Sequence, residues 1–125
     1  MDDRMRDVLV PVYFAFDRHD LSAEAIRTLE RVAKLYSEYP DLKLLAEGHA
    51  DERGSSDYNM GLAEKRARAI RDWLVAYGIS ASAVEITSFG KERPAITDCQ
   101  DESCHGKNRR SEWKVLKQPV VSLNR

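Results

Sequence analysis

Apolar and polar residues alternate from Val10 to Phe16, with Val12, Phe14 and Phe16 on one side and Tyr13 on the other, the two-residue repeat of a strand with one buried face. Further on, Ile26, Leu29, Val32, Ala33 and Tyr36 recur at helical spacing. They predict an amphipathic helix capped by Ser22, with Glu24 suited to its positive first turn and Pro40 ending it. Glu24, Arg27, Arg31, Lys34 and Glu38 form its solvated face. Lys43 to Gly48 reads as a second strand in which Leu44, Leu45 and Ala46 are largely buried. Ala63, Ala67, Ile70 and Leu74 mark the core stripe of a second helix, from Asp57 or Tyr58 to Tyr77, ended by Gly78. Leu62, Arg66, Ala69 and Trp73 form the adjacent stripe, so Arg66 falls at the edge of the buried face, an unusual place for a solubilising arginine. Val84 to Gly90 and Trp113 to Leu116 read as the third and fourth strands.

The order β-α-β-α-β-β, with helix-length crossovers, predicts an α/β (α+β) two-layer sandwich, its helices on one face of a mixed four-stranded sheet. One domain is expected over residues 10–117, behind an N-terminal segment of residues 1–9 and before a frayed tail from Gln118 to Arg125. With 42% hydrophobic and 33% charged residues, and 20 Lys+Arg against 21 Asp+Glu, the composition is that of a globular domain. Its charge balance offers no general reason to bind nucleic acid or anionic membranes. No apolar run approaches the roughly 20 residues that cross a bilayer, and Met1 to Arg6 lacks the apolar core of a signal peptide.

Cys99 and Cys104 enclose four residues of a polar loop. That spacing closes a small disulfide ring if the turn brings the Cα atoms within about 7 Å, which would imply an oxidising compartment. Two free thiols and a metal or haem role are the alternatives, although haem attachment usually has closer cysteines than these. So short a ring gains only about 2 kcal/mol from chain entropy, enough to stiffen the loop rather than to hold the fold.

The densest chemistry lies between Glu47 and Arg66. Asp51 in the loop and Arg66 about two turns into the helix offer a fixed carboxylate and a planar fork of donors to one mouth, a pairing suited to the two ends of a zwitterion. Such contacts contribute about 1.5–3 kcal/mol each when partly shielded and about 0–1 when exposed, so water must be kept out. Phe16, Leu62 and the backbone at Gly48 and Gly54 are expected to shield them.

This stretch, with Val12-Tyr13-Phe14-Ala15-Phe16-Asp17, Ser88-Phe89-Gly90-Lys91-Glu92-Arg93-Pro94 and Asn108-Arg109-Arg110, resembles the OmpA-like C-terminal domain family. Asp51-Glu52-Arg53-Gly54 resembles its peptidoglycan-associated lipoprotein branch. The likeness covers roughly a hundred residues with the motifs in the family's order. It implies a last strand antiparallel to the others and inserted between the first and second. It also implies non-catalytic binding of peptidoglycan through meso-diaminopimelate, held by Asp51 and Arg66 in a site lined by Phe16, Asp17, Asn59 and Leu62, with no catalytic residue, metal or cofactor. The implied setting is the periplasm, associated with the outer membrane through a lipid anchor or barrel outside this chain, with the Tol-system protein TolB as a partner.

Other readings stay open for single residues. Asp51 also suits a turn, Arg66 a structural pair with Glu64 or Asp51, Asn59 a brace of the loop, and Phe16 and Leu62 plain core. His49 reads as a hydrogen-bonded structural histidine, and Arg109 and Arg110 as an ion-pair cluster beneath the site. Two positions depart from the family pattern: Ala50 replaces a usual threonine, and Ser111 an apolar residue. A metal-dependent hydrolase built on His49, Asp51 and Glu52 is the competing class, but the chain lacks a His-Glu-x-x-His spacing. Asp51→Ala and Arg66→Ala are each expected to abolish sedimentation with peptidoglycan and to leave the melting transition nearly unchanged.

Overall fold

In the computed structural model, residues 3–117 are described; the expected fraying of Gln118 to Arg125 falls outside them. The chain runs α1 (Asp3–Val8), β1 (Val12–Tyr13), α2 (Ala23–Glu38), β2 (Lys43–Gly48), α3 (Ser56–Tyr77), a 3-10 turn (Ala81–Ala83), β3 (Val84–Ser88), α4 (Glu102–Asn108) and β4 (Arg110–Lys117). The strands form one sheet in the order β1-β4-β2-β3. β4 is antiparallel to β1 and β2, while β2 and β3 are parallel. The mixed sheet and the inserted last strand are those the family resemblance implied.

The helix patterns translate directly into packing. Ser22 Oγ accepts from the Ala25 N–H at 3.0 Å and starts α2, which buries Ala25, Leu29, Val32, Ala33, Leu35 and Tyr36. Ser55 Oγ does the same for the Tyr58 N–H at 3.1 Å and starts α3. Ala63, Ala67, Ile70 and Leu74 of α3 lose all solvent contact. Each full burial of a Leu- or Ile-sized side chain contributes about 1.5–3 kcal/mol.

β2 is buried on alternate residues, so Leu44, Ala46 and Gly48 face the helices while Leu45 and Glu47 are half-buried on the opposite side. The expected continuous burial of Leu44, Leu45 and Ala46 is therefore wrong at Leu45, because among the described residues the helices pack on the face of Leu44 and Ala46. At Gly48 a side chain is sterically excluded: a Cβ there would sit 1.9 Å from the Ala63 carbonyl oxygen. Glycine lets the start of α3 press against the sheet.

The first strand is far shorter than the expected Val10 to Phe16. Past Tyr13 the backbone carbonyls turn to arginine side chains instead of a strand ladder: Phe14 O accepts from Arg109 Nε at 2.9 Å and Ala15 O from Arg66 Nη2 at 3.2 Å. The chain then turns through Asp17, whose φ of 56° is left-handed. Val12 and Phe14 stay buried, but Phe16 emerges 54% exposed. Two short helices were not foreseen. α1 adds Met5 and Val8 to the core, and its Arg4 pairs with Glu38 of α2. α4 occupies the loop that carries the cysteines. β3 stops at Ser88, short of Gly90, and β4 starts earlier than Trp113, at Arg110.

Candidate ligand-binding site

The end of β2, the loop after it and the start of α3 meet the turn after β1 around a cavity of about 240 Å³. All six residues expected to contact ligand line it: Phe16, Asp17, Asp51, Asn59, Leu62 and Arg66. Gly54 lines it too, with Arg53 and Tyr58, which the sequence reading had not assigned to the site. Asp51 and Arg66 thus share one cavity, as their spacing suggested. Gly48, His49, Arg109 and Arg110 are not on its wall.

Arg66 is wholly buried, and backbone oxygens fix its guanidinium. Nε donates to Arg18 O at 2.8 Å, Nη1 to His49 O at 3.1 Å and Nη2 to Ala15 O at 3.2 Å. Two of its five N–H groups are left. Burial, and next the neighbouring Arg109 charge, lower its pKa to about 10, so it is still cationic at neutral pH. Arg66 pairs with neither Glu64 nor Asp51; Glu64 engages Arg68. The expectation that Arg66→Ala would leave the melting transition unchanged does not fit a side chain that ties both the turn after β1 and the end of β2 to α3.

Asp51 is 5% exposed. Its Oδ1 accepts from the backbone N–H of Arg53 at 3.0 Å and from Arg53 Nε at 3.2 Å. Its Oδ2 accepts from Arg53 Nη2 at 2.8 Å and Arg109 Nη1 at 3.3 Å. Burial works to raise the Asp51 carboxyl, but the Arg53 donors, with help from Arg109, outweigh it and hold the pKa below the usual carboxylate value. Glu102 of α4 closes the ring of charges, reaching Arg109 Nη2 at 2.6 Å and Arg53 Nη2 at 3.3 Å. Cys99 and Cys104 are joined in a disulfide with Cα atoms 5.4 Å apart, and Cys99 N donates to Glu52 Oε1 at 2.9 Å. These links fasten the α4 segment to the Asp51 loop.

The apolar rim comes from Phe16, stacked 4.2 Å under the Arg53 guanidinium, and from Leu62, 8% exposed. Asp17 accepts from the Tyr58 hydroxyl across the mouth. Asn59 braces the loop as well as lining the cavity, since its Nδ2 donates to Arg53 O at 2.8 Å and Ser55 O at 3.0 Å. Gly54, with φ 96°, makes the bend that a side chain would strain. The cavity therefore brings together a carboxylate at Asp51, covered by Arg53, and the buried guanidinium of Arg66 with two N–H groups unused. One anionic and one cationic side chain thus share a single cavity.

Two supporting residues differ from expectation. Arg109 does lie beneath the site, but Arg110 belongs to the other side of the sheet, where its Nε pairs with Glu112 and its Nη2 donates to Arg93 O at 3.1 Å. The His49 ring makes no close hydrogen bond among the described residues, feeling the Arg93 backbone only weakly, and it stacks on Phe89 with centroids 5.4 Å apart. It supports the site through its backbone carbonyl, the acceptor for Arg66. Ser111 is fully buried opposite Gly48 with its hydroxyl unpartnered, and nothing in the structure explains that choice.

Arg53 could have been found from sequence. An arginine two residues after a loop aspartate is within reach of an Asx-type turn, and the Arg53 N–H does close one on Asp51. Glu102 gave no such signal, because its approach depends on an unforeseen helix.

Among known proteins, the OmpA family model matches residues 13–109. The chain is 43% identical over 100 residues to the peptidoglycan-associated lipoprotein of Agrobacterium fabrum, covering 80% of this chain and 56% of that protein. It is 42% identical over 118 residues to the peptidoglycan-associated lipoprotein of Pseudomonas aeruginosa, covering 90% and 66%. The chain thus spans 56% and 66% of the length of these two relatives. The crystal structure of the peptidoglycan-associated lipoprotein from Burkholderia pseudomallei superposes with a TM-score of 0.82 at 32% identity, covering 90% of this chain and 99% of that one. The C-terminal domain of Helicobacter pylori MotB shares the fold, with a TM-score of 0.78 at 21% identity over 87% of this chain and 85% of that one.

Proposed function

From the premise that the chain belongs to the OmpA family, we propose that it binds peptidoglycan without transforming it, by gripping the meso-diaminopimelate of the stem peptide. The observation that carries this reading is the shared cavity of Asp51 and Arg66. The side-chain stereocentre of diaminopimelate bears one ammonium and one carboxylate. Asp51 takes the ammonium once Arg53 moves off it, and the remaining N–H groups of Arg66 take the carboxylate. Phe16, Asp17, Asn59 and Leu62 enclose the aliphatic stem, and Tyr58 closes the rim. Each ionic contact contributes about 1.5–3 kcal/mol. Many copies held on one membrane against one polymer turn modest single-site affinity into firm attachment.

The relatives named peptidoglycan-associated lipoprotein support an envelope role. We place the domain in the periplasm, anchoring the outer membrane to the wall as a component of the Tol-Pal system, with TolB as protein partner. The decisive test is co-sedimentation with two kinds of peptidoglycan. Wall material containing meso-diaminopimelate should pull down the protein, and material with lysine at that position, which lacks the extra carboxylate, should not. Asp51→Asn should reduce binding at least about tenfold, the worth of one charge-assisted contact. Equal sedimentation with both materials would overturn the assignment, as would full binding by Asp51→Asn.

A further inference from the structure

The side of the sheet away from the helices carries a cluster that the proposed wall-binding activity does not use. Because Gly48 faces α3, its neighbours Glu47 and His49 face the opposite side. There Glu47 of β2 sits directly across from Glu112 of β4. Like charges directly opposed on adjacent strands repel and destabilise the pair. Glu112 has a partial answer in Arg110 Nε, but Glu47 has no hydrogen-bond or ion-pair partner among the described residues. His49 is 3% exposed, and neither ring nitrogen meets a partner there. One donor atom from each of Glu47, His49 and Glu112 lies within 4.8 Å of the other two.

From this arrangement we propose that Glu47, His49 and Glu112 form a binding site for a first-row divalent transition ion of the Zn²⁺ or Ni²⁺ class. Two carboxylates and one imidazole make a mixed oxygen and nitrogen donor set, which suits these ions better than Ca²⁺ or Mg²⁺. Donors each about 2.1 Å from one ion stand at most about 4.2 Å apart, so small side-chain rotations close the set. Burial, and next the Arg110 charge, lower the His49 pKa to about 4, which leaves a neutral imidazole at neutral pH, the form that ligates a metal. Arg110 acts as a positioning residue. Its Nη1 and Nη2 are fixed on Asn108 O at 3.2 Å and Arg93 O at 3.1 Å, so its Nε steadies one Glu112 oxygen and leaves the other for the ion. The guanidinium also opposes the ion's charge. Arg93 adds a second positive charge near His49, so the two carboxylates offset the arginines and the ion is held by direct ligation rather than by an excess of negative charge. Glu112, with its side chain 41% exposed, opens the site to solvent. None of the three side chains lines the cavity on the other side, although the His49 backbone carbonyl accepts from Arg66, so the Glu47 and Glu112 variants are the ones that test this site apart from wall binding.

Titration calorimetry of Zn²⁺ into chelator-stripped protein should show one saturable site per chain. Glu47→Gln and Glu112→Gln should each weaken it by about tenfold or more. His105→Gln, which alters the other imidazole with a nearby carboxylate, should leave it unchanged. Wild-type protein supplies an arm that needs no variant: in ¹H–¹⁵N spectra the ring nitrogens of His49 should shift with Zn²⁺ while those of His19 and His105 stay in place. Absence of saturable binding would overturn the proposal. So would a stationary His49 ring, or loss of the site in His105→Gln, which would put the ion at Glu52 and His105.

Discussion

At the end of β2 the two sides of the sheet treat a buried basic side chain in opposite ways. On the helix side Arg66 has no solvent contact and its pKa falls to about 10, which still leaves it charged, and three backbone carbonyls take up its hydrogen bonds. On the far side His49 is almost as deeply buried, and burial, then the Arg110 charge, lower its pKa to about 4 against the opposing pull of Glu112, so it is neutral. Burial lowers the pKa of both side chains by a similar amount; what differs is where each starts, far above neutrality for a guanidinium and near 6.5 for an imidazole. The backbone carbonyls decide how the buried guanidinium is satisfied, and the sequence shows them only where it reveals how the chain turns.

Removing the separation between the two sides should have the largest effect. Gly48→Ala drives a Cβ into the Ala63 carbonyl, and a loss on the order of 4 kcal/mol or more is expected in urea denaturation. Next, Arg66→Met strips the donors from the Ala15, Arg18 and His49 carbonyls and should cost about 3–5 kcal/mol by the same measurement, as well as abolishing wall binding. The far side should respond to pH instead. His49 has a folded pKa near 4 against an ordinary value of 6.5, so the unfolded chain takes up the proton first. The stability tied to the neutral ring is complete above about pH 6.5 and is lost as pH falls towards 4, on the order of 3 kcal/mol in all. Stability curves for wild type and His49→Phe, which keeps a ring against Phe89, should diverge across that window; parallel curves would show that the imidazole is not held neutral. Smallest is Ser55→Ala, which removes the α3 cap and should cost about 1 kcal/mol, with weaker wall binding because Asn59 and Arg66 ride on that helix.

Long periodic segments were legible in the sequence because their burial follows from spacing alone. α2, β2 and α3 fall within a residue or two of their expected limits. α1 and α4 were missed because each is shorter than two full turns and rests on tertiary contacts: α1 buries only Met5 and Val8, and α4 carries a glycine, Gly106, and buries only Asn108. The strand order was within reach only through the family resemblance, since periodicity says nothing about neighbours. At the site, the residues of the signature could be placed together by motif. What could not be read was their bonding, for it depends on carbonyls of the turn after β1 and on Glu102, which reach Arg66, Arg109 and Arg53 from distant parts of the chain.

The interior position of β4 governs the order in which this domain can assemble. Among the described residues β1 has only β4 as a strand neighbour, and the Trp113 indole donates to Val10 O at 2.9 Å across 103 positions of chain. Until that late segment arrives, the N-terminal strand has nothing to pair with and Asp51 lacks the Arg109 donor. Folding is thus a closing step that waits for the final strand rather than a growth from the first residue onward, and its high contact order slows it. A polypeptide still being synthesised has an unpaired first strand, and the cavity shared by Asp51 and Arg66 is completed only after the whole domain has emerged.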